Sequence, residues 1–371
     1  MNRTVYDTII IGGGAAGIGA GVTLKDAGID DFLVLEGRRI GASFNGWPAE
    51  TRFFTPSFPT NSVGTLDLNS ITIGTSPAFS LEVEHPTGND YAFYLRQVAR
   101  VFDLPVCEET IVLRVTKIAD EFVIDTEEDT LRAKHVIWAA GEYGYPSLQG
   151  FDGSKYCLHT SMIDRYEQVE GDDFIVIGGF ESGIDAACHL ARRGLKVSLF
   201  DRGCPWEAHT SDPSVALSTY SMERMREGPF TSHVDLHANT PIRSVSRTDD
   251  GYEVLTMDDH AHLTPVQTIL ATGFLGSHGV VMDLFEPRDD GFPLLSECDE
   301  STTTPGLFLC GPSVRHGDHI FCFIFKFRMR FAVVAKAIAT SLGLPATRLE
   351  EYRHWGMYLD DLSCCGEECI C

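Results

Sequence analysis

The chain has 371 residues, 43% of them apolar and 22% charged, a composition that allows two folded domains with separate cores and excludes extended disorder. Its 53 acidic against 29 basic side chains leave a net charge of −24, which argues against nucleic acid or an anionic membrane surface as a partner. No apolar stretch of signal-peptide length precedes the first glycines, so a cytoplasmic setting is expected, where eleven cysteines are more readily free, catalytic or metal-bound than paired.

The first stretch, "YDTIIIGGGAAGIGAGVTLKDAGIDDFLVLE" (6–36), runs from an apolar strand through glycines and an Ala-rich helix into a second strand. Gly12, Gly14 and Gly17 have the G-x-G-x-x-G spacing: a tight turn, a close approach of backbone to a pyrophosphate, and a close contact of helix with strand. The helix start then faces the phosphates. Glu36, at the end of the second strand, can accept hydrogen bonds from an adenosine ribose.

A second unit of the same kind follows in "DDFIVIGGFESGIDAACHLARRGLKVSLFDRG" (172–203), where Gly178, Gly179, Ser182 and Gly183 form the loop. Phe180 stands where the fingerprint has its middle glycine, so a pyrophosphate needs another path along the backbone. Asp201 suits a free ribose hydroxyl and Arg202 suits a 2′-phosphate, which leaves NADH and NADPH both open. Between and after these units, "HVIWAAGEYGYP" (135–146) and "TILATGFLG" (268–276) each run from a buried strand into a glycine turn where a chain can cross between domains. The stretch 209–228 reads as a long loop with a short helix.

Near the end, "HIFCFIFKFRMRFAVVAKAIA" (319–339) is apolar but interrupted by Lys326, Arg328 and Arg330, too many charges for a membrane span. It reads as a buried helix. The last residues, "LSCCGEECIC" (362–371), hold Cys364, Cys365, Cys369 and Cys371. The 26 residues beyond Pro345 could span roughly 85 Å if extended.

Two glycine loops, two crossings and the late "TPGLFLCGP" (304–312) resemble the thioredoxin-reductase-like flavoproteins, over about residues 5 to 340. That resemblance implies an α/β fold of two Rossmann-like dinucleotide-binding domains, the NAD(P)H domain (161–275) inserted into the FAD domain (1–160 and 276–345), with a Cys-rich tail (346–371). FAD would contact Gly12, Gly14, Gly17 and Glu36, and NAD(P)H would contact Gly178, Gly179 and Ser182. "TRFFTPS" (51–57), "YAFYLRQVARVFDLPV" (91–106) and "VIGGFESGIDAA" are similar to the branch of bacillithiol-disulfide reductases and monooxygenase-like flavoproteins. Relatives are often homodimers, which is expected here by analogy.

Three departures from that family bear on function. No Cys-x-x-Cys lies between Phe174 and Gly273, and Ala15 and Ala16 stand where bacillithiol-disulfide reductases commonly carry a cysteine. Phe151, Gly153 and His159 resemble the flavin-monooxygenase fingerprint only with five residues, rather than three, between Gly and His. The late strand ends Gly311-Pro312 rather than Gly-Asp, so Asp318 or a backbone amide is left for the flavin's ribityl chain.

By the same resemblance the flavin ring faces the start of the last helix, with His316 and His319 as candidate proton partners and Cys322 nearby. Vicinal Cys364-Cys365 resembles the redox tails of mercuric reductase and high-molecular-weight thioredoxin reductases. The expected function is transfer of hydride from NAD(P)H to FAD, and of electrons through the tail to a small-molecule or protein disulfide, or to a soft metal. Crowding by Asp360, Asp361, Glu367 and Glu368 would raise the thiol pKa values and counts against it. The alternatives are a flavin monooxygenase and a non-catalytic sensor or metal-binding protein, four thiolates being able to form an S₄ site.

Overall fold

"TIII" (8–11) enters the fold as the centre of a parallel sheet, where a strand covered on both faces has to be apolar throughout. A computed structural model describes residues 5–210 and 212–364, the side chains of Asn61, Ser62 and Cys364 excepted. These residues divide into two compact units. The first takes the described chain up to Asn45, then Pro56–Gly144 and Gly276–Cys364; the second takes Gly46–Thr55 and Tyr145–Leu275.

The chain begins with β1 (Tyr6–Ile11), α1 (Ala15–Asp26) and β2 (Phe32–Leu35), then α2 (Gly88–Val101), β3 (Val106–Cys107), β4 (Val112–Ile118), β5 (Glu121–Thr126) and β6 (Thr130–Trp138). The second unit contributes β7 (Leu158–His159), β8 (Asp173–Ile177), α3 (Glu181–Arg192), β9 (Lys196–Phe200), α4 (Thr219–Arg224) and β10 (Val234–His237). It continues with β11 (Ile242–Thr248), β12 (Gly251–Thr256), β13 (Ala261–Thr264) and β14 (Ile269–Leu270). The first unit resumes with β15 (Leu307–Leu309), β16 (Arg315–His316), β17 (His319–Ile320) and α5 (Phe331–Ser341).

In the first unit the sheet runs β3-β2-β1-β6, all parallel. The long strand β6 is shared: its first half pairs with antiparallel β5, and its second half with parallel β15 through Val136, Ile137 and Trp138. Ile9, Ile10, Val34 and Ile137 have no exposed surface, and each such side chain contributes roughly 1.5–3 kcal/mol of burial. Helix α1 is closely fitted as well as buried. A Cβ on Gly19 would lie 2.2 Å from the Phe331 ring, so only glycine lets α1 and α5 meet there. Helix α2 starts at a capping box in which Thr87 and Asp90 exchange hydrogen bonds.

The stretch read as one buried helix over 319–339 is divided. Residues 315–320 form the hairpin β16–β17, turning at Gly317 with φ +55°, and helix begins only at Ile324. The charges in it are inside because each finds partners. Arg328 donates through Nη1 to the carbonyls of Asp67 (2.5 Å) and Ser70 (2.7 Å), and Arg330 pairs with Asp299 at 2.8 Å. No helix among the described residues is long and apolar enough to cross a membrane.

The second unit holds a five-stranded parallel sheet, β10-β9-β8-β14-β7, and an antiparallel sheet, β11-β12-β13. Helix α3 packs Ile184, Ala187, Cys188 and Leu190 against Val176, Leu199 and Ile269. Phe200, Val245 and Val254 form a second cluster. The stretch 46–55 belongs to this unit although the residues on either side of it belong to the first.

Candidate functional site

The two glycine loops repeat one geometry. Gly12 and Gly178 have φ of +111° and +105°, and a Cβ on either would lie 2.3 Å from a carbonyl oxygen, that of Ala139 or Ala271. Only glycine meets both demands. Gly17 and Gly183 each press against the carbonyl of the loop's first glycine, where a Cβ would lie only 1.8 Å from the oxygen. In both units the acid ending the second strand binds the loop: Gly13 N donates to Glu36 Oε2 at 2.6 Å, and Gly179 N to Asp201 Oδ2 at 2.7 Å.

Each of these acids also takes a second backbone N–H, Arg38 to Glu36 (2.8 Å) and Gly203 to Asp201 (2.7 Å). A carboxylate has about four acceptor positions, so room remains for ribose hydroxyls. Burial pushes Glu36 above its ordinary pKa despite the N–H bonds from Gly13 and Arg38.

The loops differ at their third position. A Cβ on Gly14 would meet nothing within 4 Å. No side chain caps α1 and no acid stands in its first turn, so its N–H groups and dipole can receive an anion. That open, uncapped helix start fits the pyrophosphate of FAD. In the second loop the partly buried Phe180 takes the place of Gly14, and Glu181, 7% exposed, stands in the first turn of α3. Its carboxylate accepts from Ser218 N (2.5 Å) and Ser221 Oγ (2.5 Å) at the start of α4. The positions of Gly178, Gly179, Gly183 and Asp201 fit a dinucleotide as their counterparts do, with Ser182 in the first helical turn and partly buried. Arg202, just beyond β9, is exposed and makes no hydrogen bond or ion pair among the described residues.

In the first unit the carboxyl ends of β1, β6 and β15 converge, the edge at which open α/β sheets bind ligands. A Cβ on Gly311 would lie 3.2 Å from that of Ala16, so the Gly311-Pro312 turn stands beside the glycine loop. Beyond it, β16 and β17 pair Arg315 with Ile320 and His316 with His319. Alternate residues of a strand face opposite sides. His316 turns inward, its Nε2 2.5 Å from Oδ1 of the fully buried Asp299, which Arg330 also holds. This candidate proton partner is therefore part of a buried His-Asp-Arg network. His319 is partly buried, and Asp318 sits exposed at the hairpin tip.

The opposite face of the hairpin carries Arg315, which donates through Nη1 to the carbonyls of Pro312 (2.6 Å) and Val314 (2.8 Å) and lies 4.2 Å over the Phe292 ring. Burial lowers the Arg315 pKa, and the neighbouring Cys322 and Glu142 counter it. Burial likewise pushes Glu142 up, with Arg315 opposing. The pair has no signature in the sequence. Glu142 lies inside the crossing "AAGEYGYP", but nothing local to either residue signals that they meet across 173 positions of chain.

Desolvation pushes the thiols of the buried Cys157 and Cys188 up to about 12, and that of Cys310 well above its ordinary value. Cys322 is partly exposed. The candidate thiols Cys365, Cys369 and Cys371, and the side chain of Cys364, lie outside the described residues. Among the described residues no three His, Cys, Asp or Glu side chains are grouped to hold a metal.

The model of one protein family, pyridine nucleotide-disulphide oxidoreductase, matches residues 9–311, a span that includes both glycine loops. The chain belongs to the pyridine nucleotide-disulphide oxidoreductase family. It is an FAD- and NAD(P)H-dependent oxidoreductase of that family, with the two-domain thioredoxin-reductase-like fold. This pyridine nucleotide-disulphide oxidoreductase is 26% identical to the bacilliredoxin reductase Bdr of Bacillus subtilis over 311 residues, 82% of this chain and 88% of that one. It is also 26% identical to the uncharacterised oxidoreductase CzcO of B. subtilis, over 51% of this chain and 52% of the other. Among solved structures, the bacillithiol disulfide reductase Bdr of Staphylococcus aureus matches with a TM-score of 0.75 and 21% identity, covering 91% of this chain and 99% of that one. A flavin monooxygenase of Stenotrophomonas maltophilia matches at 0.70 and 17%, covering 92% and 100%. At such identities the structures share a fold.

Proposed function

We propose that this oxidoreductase reduces a disulfide, NAD(P)H + H⁺ + RSSR′ giving NAD(P)⁺ + RSH + R′SH, with the carboxy-terminal cysteines on the electron path. FAD, when bound, supplies the two-electron relay between nicotinamide and disulfide. The observation that carries the reading is the pair of matched glycine loops in a chain of the disulphide oxidoreductase family. Gly12, Gly14, Gly17 and Glu36 hold the FAD end, and Gly178, Gly179, Ser182 and Arg202 the NAD(P)H end. Arg315 supplies positive charge at the carboxyl edge of the first sheet, beside Cys322 and Glu142. His319 remains a candidate to move protons there, while His316 orients the hairpin through Asp299.

The acceptor fits a low-molecular-weight or protein disulfide, in keeping with the relative named bacilliredoxin reductase; a soft metal ion would be an alternative substrate for the same thiols. A homodimer in the cytoplasm is the setting this reading expects. The monooxygenase alternative has no observation of its own. Its fingerprint residue His159 is fully buried, with its ring nitrogens engaged by Ser161 Oγ (2.8 Å) and the Gly273 carbonyl (3.1 Å). Gly153 presses on the Val245 carbonyl.

The test is an anaerobic NADPH titration of oxidised, FAD-loaded protein, comparing the whole chain with one stopped before Cys364. Uptake beyond what the flavin holds, lost on truncation, supports the reading. Equal uptake in both removes the tail from the path. Negligible turnover together with bound zinc would favour the sensor or metal-binding alternative.

A further inference from the structure

The second unit contains a cleft of about 400 Å³ at the carboxyl end of α3, lined by Arg52, Arg165, His189, Arg192 and Tyr220. The glycine loop lies at the other end of the same 12-residue helix, roughly 16 Å away along its axis. The cleft is therefore separate from the dinucleotide loop, and the proposed redox route makes no use of it.

Its walls are held by ring contacts and by hydrogen bonds that use only part of the donor capacity of the lining. The stretch 46–55 is closed by the Trp47–Phe53 ring contact (4.9 Å) and by Arg52 Nη1, which donates to the carbonyls of Ala49 (3.1 Å) and Glu50 (3.2 Å). It is fastened to the rest of the unit by Ala49 N to the Asp164 carbonyl (2.9 Å) and by Thr51 Oγ1 to Asp185 (2.7 Å). The His189 ring lies parallel to that of Tyr166, 5.3 Å between centroids. Beneath, Asp185 and Arg224 form a buried ion pair at 2.7 Å.

The charges of the lining do not cancel. Three arginines stand against Glu50 and Glu167. Each Glu50 oxygen is already taken by a backbone N–H, of Tyr166 (3.0 Å) and Glu167 (3.1 Å). Arg192 spends Nε and Nη2 on Glu227 at 3.0 and 2.7 Å, which leaves Nη1. Arg52 spends only Nη1, and the Arg165 side chain makes no hydrogen bond or ion pair among the described residues. In a chain of net charge −24 such a concentration of guanidinium groups runs against the overall field and marks the cleft for an anion. The planar fork of arginine matches the paired oxygens of carboxylate and phosphate. The volume is that of a small-molecule site, at the lower end of the usual range.

We propose that this cleft is a second ligand site, taking a small anion, a polycarboxylate or a phosphate, held by Arg165 with the remaining donors of Arg52 and Arg192. The probes are citrate and inorganic phosphate, titrated calorimetrically into FAD-loaded protein whose dinucleotide site has first been saturated with NADP⁺. Saturable one-site binding of either probe is expected, weakened at least tenfold by Arg165→Glu and changed less than twofold by Arg247→Glu, an equal change of charge on an exposed residue of β11. The Arg165 side chain is exposed and bonds no other side chain or backbone group among the described residues, so its replacement leaves the fold intact. Binding of citrate alone or phosphate alone supports the site and names its anion. No saturable heat from either at millimolar concentration, or equal weakening by both substitutions, overturns it. The readout is independent of turnover.

Discussion

The carbonyl oxygen of Ala139 lies 2.3 Å from where a side chain on Gly12 would begin, and Gly12 holds a φ of +111°. Gly14, two residues on, has open space instead. The two glycines are alike in sequence and opposite in physical role, one required by the protein and the other by what binds it. Gly12→Ala is expected to abolish soluble folded protein or to cost several kcal/mol, on the order of a strained backbone plus a steric clash. Gly14→Ala is expected to leave the melting temperature nearly unchanged while the FAD content of purified protein falls at least tenfold. Thermal melts and the flavin-to-protein absorbance ratio read the two effects separately, and a Gly14→Ala protein that retains full FAD would contradict the assignment.

Asp185 makes a second prediction. Burial opposes its ionisation, yet His189, Arg224 and Thr51 together hold its carboxyl down at about 2. A depressed folded pKa contributes stability that is present above the unfolded value, near 4, and is lost as pH falls through about 2; the contribution is on the order of 2 kcal/mol. Asp185→Asn should leave Arg224 buried without its counter-ion, at a cost of about 3–5 kcal/mol near neutral pH. Denaturant unfolding at pH 7 and pH 3 would show the wild-type advantage shrinking at the lower pH. An advantage that is the same at both would mean that Asp185 is not the titrating group.

Thiol accessibility gives a third. Cys157, Cys188 and Cys310 are buried with raised pKa values, so brief iodoacetamide treatment of native protein at pH 8 should leave them unmodified. Cys107, which is exposed, and Cys322, which is partly so, should be labelled. Peptide mass spectrometry counts the labels. Bound FAD should protect Cys322 if the carboxyl edge of the first sheet holds the flavin, and unchanged labelling would count against that placement.

Nicotinamide preference follows from the end of β9. Arg202 is exposed there and makes no hydrogen bond or ion pair among the described residues, so its guanidinium is available to a 2′-phosphate. NADPH is therefore expected to be preferred. Arg202→Ala should raise KM for NADPH roughly tenfold, the loss of one charge-assisted contact, and leave KM for NADH within twofold. Equal effects on both would remove Arg202 from the 2′-phosphate.

Reading the chain alone recovers what depends on neighbours in sequence. A βαβ unit is announced by an apolar strand, a glycine turn and a helix within thirty residues, because a tight turn and a close helix–strand contact need glycine at fixed offsets. Both loops, Gly12 to Gly17 and Gly178 to Gly183, were legible for that reason, as were Glu36 and Asp201 at the ends of their strands. The α/β fold with two nucleotide-binding units follows from the same local signals, and the family match agrees with it.

What depends on distant residues was not legible. The second strand of the hairpin, at 319–320, lies at the start of an apolar run that reads equally as helix, since periodicity cannot separate a short buried strand from a helix segment. His316 and Arg315 are adjacent in sequence, yet the pleat sends one to Asp299 and the other toward Glu142 and Cys322. Nor does any local pattern tell that 46–55 joins the second unit, where Arg52 meets Arg165 and Arg192 in one cleft. Which turns can cradle a dinucleotide is set by neighbouring residues, because backbone sterics are local. Which charges face one another is set by the folded chain, because burial and Coulomb attraction act across space without regard to position along the chain.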